Sequence, residues 1–163
     1  MPNRPEHFAK GVWKQEPLLH TPKELTHLAK SLTADTHEDL GGVYGEGEGN
    51  FLKDMGSSKE SAAGECDSAC RMVHDYLPHG SHEVIYDDHP RQFNHFVHHV
   101  PTTEGMYAVD YTQKQFNANA KFPVVEPMAK FQSRQSMQQF GSMKSSNIHL
   151  YRADKEGNID PKQ

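Results

Sequence analysis

The sequence is poor in the features that anchor or staple small chains. Among 163 residues there are two cysteines and one tryptophan. Two cysteines are too few for a disulfide scaffold, and Cys66 and Cys70, one helical turn apart, are too close to seal a useful loop. No apolar run approaches the roughly 20 residues of a membrane helix, so no membrane partner is expected. The opening stretch MPNRPEHFAKGVW has no apolar segment behind its basic residues, so no secretory signal peptide is expected and synthesis in the cytoplasm follows. Positive charge is scarce as well. Seventeen Lys and Arg face 22 Asp and Glu, for a net charge of −5, which argues against a broad phosphate-binding face and a nucleic-acid partner. Hydrophobic residues reach only 34% and charged ones only 24%, the balance being Gln, Asn, Ser, Gly, Pro and 12 His. That balance fits a modest core under much irregular surface better than a disordered chain. The length suits one domain over 1–163.

What is present has a readable order. Residues 1–20 form an irregular Pro- and His-containing arm, with Val12, Trp13, Leu18 and Leu19 available to anchor it. Thr21-Pro22-Lys23-Glu24 starts a helix, since Thr21 can cap, Pro22 suits the first turn and Glu24 completes a capping box. Leu25, Leu28, Ala29 and Leu32 then give an amphipathic helix over 22–33. The glycine-rich stretch 41–49 is a loop without phosphate-cradle spacing, an ordinary linker or a flap over a cleft. A second helix runs from about 64 to 77, with Ala69, Met72, Val73, Tyr76 and Leu77 on its buried face. Strands are expected at 83–86, 93–100 and 106–111, the last two forming a hairpin around 101–105. Residues 121–127 look extended, 132–146 suit a surface helix, and 147–152 suit a last strand before a polar tail at 153–163. Helices followed by antiparallel strands make the class α+β.

Three residues on these elements make a catalytic constellation. Cys66 falls in the first turn of the second helix, where unpaired N–H groups and the dipole stabilise a thiolate and can hold an oxyanion. His95 lies on a strand expected beside that helix and supplies the base. Asp110 lies on the partner strand and orients the imidazole. A turn centred near 102–103 places positions 95 and 110 opposite each other, about 5 Å apart between Cβ atoms. Nucleophile, base and orienter are the parts of a thiol hydrolase triad.

Other residues are weighed against this set. Cys70 is the rival nucleophile, but it sits a full turn into the helix, where N–H groups are already paired, and nearer the edge of the buried stripe. Either cysteine alone could be a small buried hydrophobe. His95, His98 and His99, with His74, His79, His82 and His89, invite a metal reading beside the cysteines. Their spacing does not fit a compact zinc site, so no metal and no cofactor is expected. His95 and His99 share one strand face and His98 the other; polar or sheet-edge positions suit His98 and His99. Thr112 and Gln115 either shape the site or merely bond backbone after a strand end.

The residues Gly64-Glu65-Cys66, Asn94-His95-Phe96-Val97 and the run from Tyr107 to Phe116 (YAVDYTQKQF) together resemble papain-like bacterial toxins and effectors. The resemblance covers about residues 60–127. It implies a papain-like fold, with the nucleophile at a helix start packed on a small antiparallel sheet. Cys66, His95 and Asp110 would then act through a thioester. It also implies deamidation of glutamine side chains in a protein substrate, with proteolysis or transglutamination as neighbouring chemistries. Delivery into a target cell by a specialised secretion system, and a cognate immunity protein or secretion chaperone as partner, are implied in the same way. A reading of a different class, a non-catalytic module that binds a partner, stands beside it. Two departures from papain are visible. Cys66 and His95 lie close in sequence, and Glu60 stands six residues before Cys66, where papain carries an oxyanion-hole glutamine. A second oxyanion donor has to come from elsewhere.

Overall fold

Thr21 caps the first helix, α1 (Pro22–Ser31), through a full capping box: its hydroxyl accepts from the Glu24 N–H at 3.1 Å and Glu24 Oε1 accepts from the Thr21 N–H at 2.9 Å. Leu25 and Ala29 point inward from it, and the helix ends two residues short of the expected 33. The computed structural model describes residues 18–34, 50–87, 94–140 and 149–153. Val12 and Trp13 of the arm, the 41–49 loop and most of the tail lie outside these residues. Leu18 and Leu19 are within them and do not anchor the arm, being 92% and 49% exposed. His20 is held through its backbone instead: it bridges Thr102, and its carbonyl accepts from the Thr103 N–H at 2.9 Å.

Two single-turn helices follow, α2 (Phe51–Asp54) and α3 (Lys59–Ala62), capped by Asn50 and Ser58. Neither is long enough to show a hydrophobic period, which is why sequence reading passes over them. The buried Asn50 also donates to the carbonyls of Leu32 and Ala34, at 2.8 and 3.0 Å, tying α2 to the end of α1. The next helix, α4 (Cys66–Val73), continues as a 3-10 turn over His74–Tyr76. Ala69, Val73 and Leu77 are buried as the periodicity predicts, whereas Tyr76 turns outward where the 3-10 turn breaks the helical step.

Five antiparallel strands form one sheet: β1 (His82–Asp87), β2 (Asn94–Thr102), β3 (Gly105–Asp110), β4 (Val124–Pro127) and β5 (His149–Ala153), in the order β4-β3-β2-β1-β5. The chain is therefore α+β with an antiparallel sheet. Ala153, assigned to the tail from sequence, closes β5 and is buried. The surface helix expected at 132–146 starts earlier, as α5 (Met128–Phe140).

The sheet divides the core in two. On one side Leu25, Ala29, Phe51, Leu52, Ala69 and Val73 from the helices pack with Val100, Val109 and Tyr111; on the other, Val84, Tyr86, Val97, Ala108 and Val124 meet Phe131 of α5. The alternation of these strand residues follows from the pleat. Because β2 is central and covered on both faces, His98 and His99 are buried, 1% and 4% exposed, and not at an edge as the polar pattern suggests.

Candidate active site

The hairpin register differs from the sequence expectation. Thr102 pairs with Gly105 and His98 with Val109, so the loop is Thr103-Glu104 and Asp110 continues the register opposite Val97. Thr102 fixes this loop, its hydroxyl donating to the Gly105 carbonyl at 2.7 Å and accepting from the Glu104 N–H at 3.0 Å. The slip relative to expectation is two residues, and a two-residue slip preserves the face. Asp110 therefore stays on the His95 side of the sheet and reaches that ring diagonally. Its Oδ2 lies 2.6 Å from His95 Nε2.

His95 stands near the beginning of β2 and not at its middle. Recorded pairing between β2 and β3 begins only at His98. Residues past the end of β3 flank the ring there, Gln115 and Phe116 among them. Asp110 occupies Nε2, which leaves Nδ1 beside the Gln115 amide, and the Cys66 thiol is near enough to favour the charged ring. The structure thus joins His95 to Asp110 and sets Cys66 in their neighbourhood. The ring is fully buried, with the Phe116 ring edge-on at a centroid distance of 4.9 Å and Phe131 near-parallel at 6.5 Å.

Electrostatics follow from these contacts. Burial alone would pull His95 down, but the Asp110 charge and hydrogen bond, with Cys66 adding to them, push it up to about 10. Burial pushes Asp110 the other way. The His95 charge and hydrogen bond, the Thr112 N–H and the Gln113 amide outweigh that and hold it below the ordinary carboxylate range. At neutral pH the pair is an imidazolium beside a carboxylate, with every carboxylate oxygen accepting. Oδ1 takes the Thr112 N–H at 2.8 Å and its hydroxyl at 3.2 Å; Oδ2 takes the Gln113 Nε2 at 2.7 Å.

Gln113 is a site residue that sequence reading missed. It is buried in a 3-10 turn over Gln113–Gln115, and its Nε2 also reaches Gln135 Oε1 of α5 at 3.1 Å. Thr112 and Gln115, left open between site and turn, both belong to the site. Gln115 Nε2 lies 3.3 Å from His95 Nδ1 and donates to Thr112 Oγ1 at 3.2 Å. The only sequence signal for Gln113 is its place just after a strand carrying a buried acid, where an amide can bond back to a carboxylate.

The two cysteines exchange the positions expected on the buried stripe. Cys70 is buried and Cys66, at the first residue of α4, is half-buried. Burial, reinforced by the Glu83 charge, pushes the Cys70 thiol well up, so it stays protonated. Glu65 precedes α4 without a side-chain cap, and of the first-turn N–H groups that of Ser68 is taken by Asp67 Oδ1 at 2.8 Å. Asp67, which could oppose a thiolate, is drawn to Arg71 one turn on, at 3.3 Å. Upstream, Gly64 has φ +76, a left-handed turn that feeds the chain into Cys66.

Neither cysteine belongs to a metal-type cluster among the described residues; the group there is His74, Glu83 and His98. No helix among those residues is long and apolar enough to cross a membrane. Compared with protein-family models, with curated proteins and with solved structures, the chain shows no significant match.

Proposed function

We propose that the protein is a papain-like thiol hydrolase acting on amides through Cys66, His95 and Asp110, and that its preferred reaction is deamidation of a glutamine side chain in a target protein. One observation carries the reading. A single buried imidazole is bonded through Nε2 to a fully hydrogen-bonded carboxylate, and a half-buried thiol at a helix start is near enough to favour its charged form further. A buried ion pair is an expensive way to gain stability. It is an economical way to hold a base in one tautomer beside a nucleophile.

In this reading the Cys66 sulfur, as thiolate, attacks the amide carbonyl carbon while His95 carries the proton on Nδ1. The carbonyl oxygen gathers negative charge and is met by the N–H groups that open α4. The Gln115 amide, already beside Nδ1, supplies the second donor that Glu60 cannot. Collapse of the adduct breaks the C–N bond, and His95 passes its Nδ1 proton to the departing ammonia, leaving a thioester. His95 then takes a proton from water as the water oxygen attacks the thioester. The acid departs, and sulfur and imidazolium return to their starting states. Asp110 stays ionised throughout and holds the ring by Nε2.

Preference for glutamine rests on the resemblance of the Cys66, His95 and Tyr107–Phe116 segments to deamidating toxins. Proteolysis and transglutamination share the acyl-enzyme. Mass spectrometry of a glutamine-bearing protein incubated with the wild type and with Cys66→Ser separates them. Release of ammonia with conversion of Gln to Glu, absent with Cys66→Ser, is the expected result. A chain cut or a crosslink would move the reaction to a neighbour in the class, and no Cys66-dependent change in any substrate would remove the enzymatic reading.

A further inference from the structure

We infer that His74, Glu83 and His98 form a binding site for a single divalent transition-metal ion of the zinc type, placed at the opposite end of α4 from Cys66. The three residues come from three elements: the 3-10 turn that extends α4, strand β1 and strand β2. Their donor atoms converge within 4.8 Å of one another. Glu83 and His98 are directly opposed across β1 and β2, so the ladder itself sets them side by side on the face that α4 covers. His74 comes down from above with its Nδ1 3.4 Å from His98 Nε2.

That separation suits a metal better than a direct bond. Two nitrogens each about 2.0–2.1 Å from a tetrahedral zinc ion stand roughly 3.3 Å apart. A hydrogen bond between two imidazoles would draw them toward about 2.9–3.0 Å. The rings are tilted by 38° with centroids 5.6 Å apart, so stacking does not explain the approach. Two imidazoles and one carboxylate are a sufficient protein ligand set for zinc, with a fourth position left to solvent. His74 is half-buried, which leaves that fourth position and an entry route on its side, while Glu83 and His98 form the closed floor. The neighbouring His82 and His99 pair on the other face of the sheet and are not ligands.

Such an ion would pin the C-terminal end of α4 to β1 and β2. It sits eight residues from Cys66, about 12 Å along a helix, so it clamps the helix without touching the thiol. Its effect is on stability by mass action, since the unfolded chain does not hold the three donors together. The site stands independently of the catalytic reading.

The test uses the full chain stripped of metal by chelation, then dialysed against zinc, with bound metal counted and thermal melting followed. The wild type is expected to take one zinc per chain at this site and to melt higher as zinc is raised. His74→Ala, at a half-buried position, should keep the fold and lose at least tenfold in affinity; Glu83→Gln should do the same with the side-chain shape kept. Cys66→Ser should bind zinc as the wild type does. The inference is overturned if zinc gives no melting shift, if His74→Ala and Glu83→Gln retain full affinity, or if binding disappears with Cys66→Ser.

Discussion

The two ends of α4 carry similar side chains and opposite electrostatics. At its start, Cys66 meets His95, whose imidazole is pushed up to about 10 by Asp110 and by the thiol itself, against the pull of burial. At its end, His74 meets His98, three residues further along the same strand, which burial and the surrounding imidazoles pull down to about 3. Cys70, between the two, is buried and locked as a thiol. Burial disfavours the charged ring at both ends. At His95 a carboxylate hydrogen-bonded to Nε2 outweighs it, while at His98 the imidazoles of His74, His82 and His99 reinforce it.

Replacing the nucleophile should produce the largest effect. Cys66→Ser is expected to lower kcat by on the order of 10⁴-fold or more, while Cys70→Ser should leave kcat within about twofold, as the triad parts act as a unit. Comparable losses in both variants would erase the distinction between the two ends of the helix. Asp110→Asn should keep the fold and cost about 10⁴-fold in kcat by releasing the wrong tautomer of His95. Activity unchanged in that variant would take Asp110 out of the mechanism. Gln115→Ala should cost about 10²–10³-fold in kcat if its amide meets the oxyanion. A change confined to KM would mean that it only shapes the cleft.

The comparison also predicts a pH dependence of stability at the first end. The groups that face His95 are Asp110 on β3 and Cys66 on α4, with Gln115 beside Nδ1. His95 is raised from 6.5 to about 10, so its contribution is fully present below pH 6.5 and is lost as pH rises through about 10. Asp110 is lowered from 3.8, so its contribution is present above that pH and is lost as pH falls below it. Urea unfolding from neutral pH to pH 10 should show a steeper alkaline loss for the wild type than for Asp110→Asn; parallel curves would mean that the pair is not ionised. The smallest expected effect is local. Gly64→Ala forces a Cβ into a left-handed turn with φ +76 where no neighbour obstructs it, and should cost about 1–2 kcal/mol in urea unfolding through backbone strain alone.

Much of this was readable before the structure. The capping box at Thr21 and Glu24, the His95–Asp110 hairpin and the helix opening at Cys66 each rest on a local rule, and each stands. The exact pairing was not readable, because Thr102 and Gly105 fix a loop that a midpoint argument misplaces by two residues. The face was still right, since side chains alternate with period two. The burial of His98 and His99 was hidden because a central strand covered on both sides does not alternate in exposure. Gln113 was hidden because no periodicity marks an amide that turns back to a carboxylate. The metal-type cluster joins residues from three elements whose only common feature is their register, which composition does not reveal.

Native alkylation tests the central claim most directly. The protein is exposed to a small excess of iodoacetamide at neutral pH, and labelling of Cys66 and Cys70 is followed by peptide mass spectrometry in the wild type, His95→Gln and Asp110→Asn. The account predicts fast labelling of Cys66, none of Cys70, and at least tenfold slower labelling of Cys66 once His95 is replaced, with Cys70 still protected as proof of folding. Equal rates at Cys66 with and without the imidazole, in a protein whose Cys70 remains protected, would contradict it.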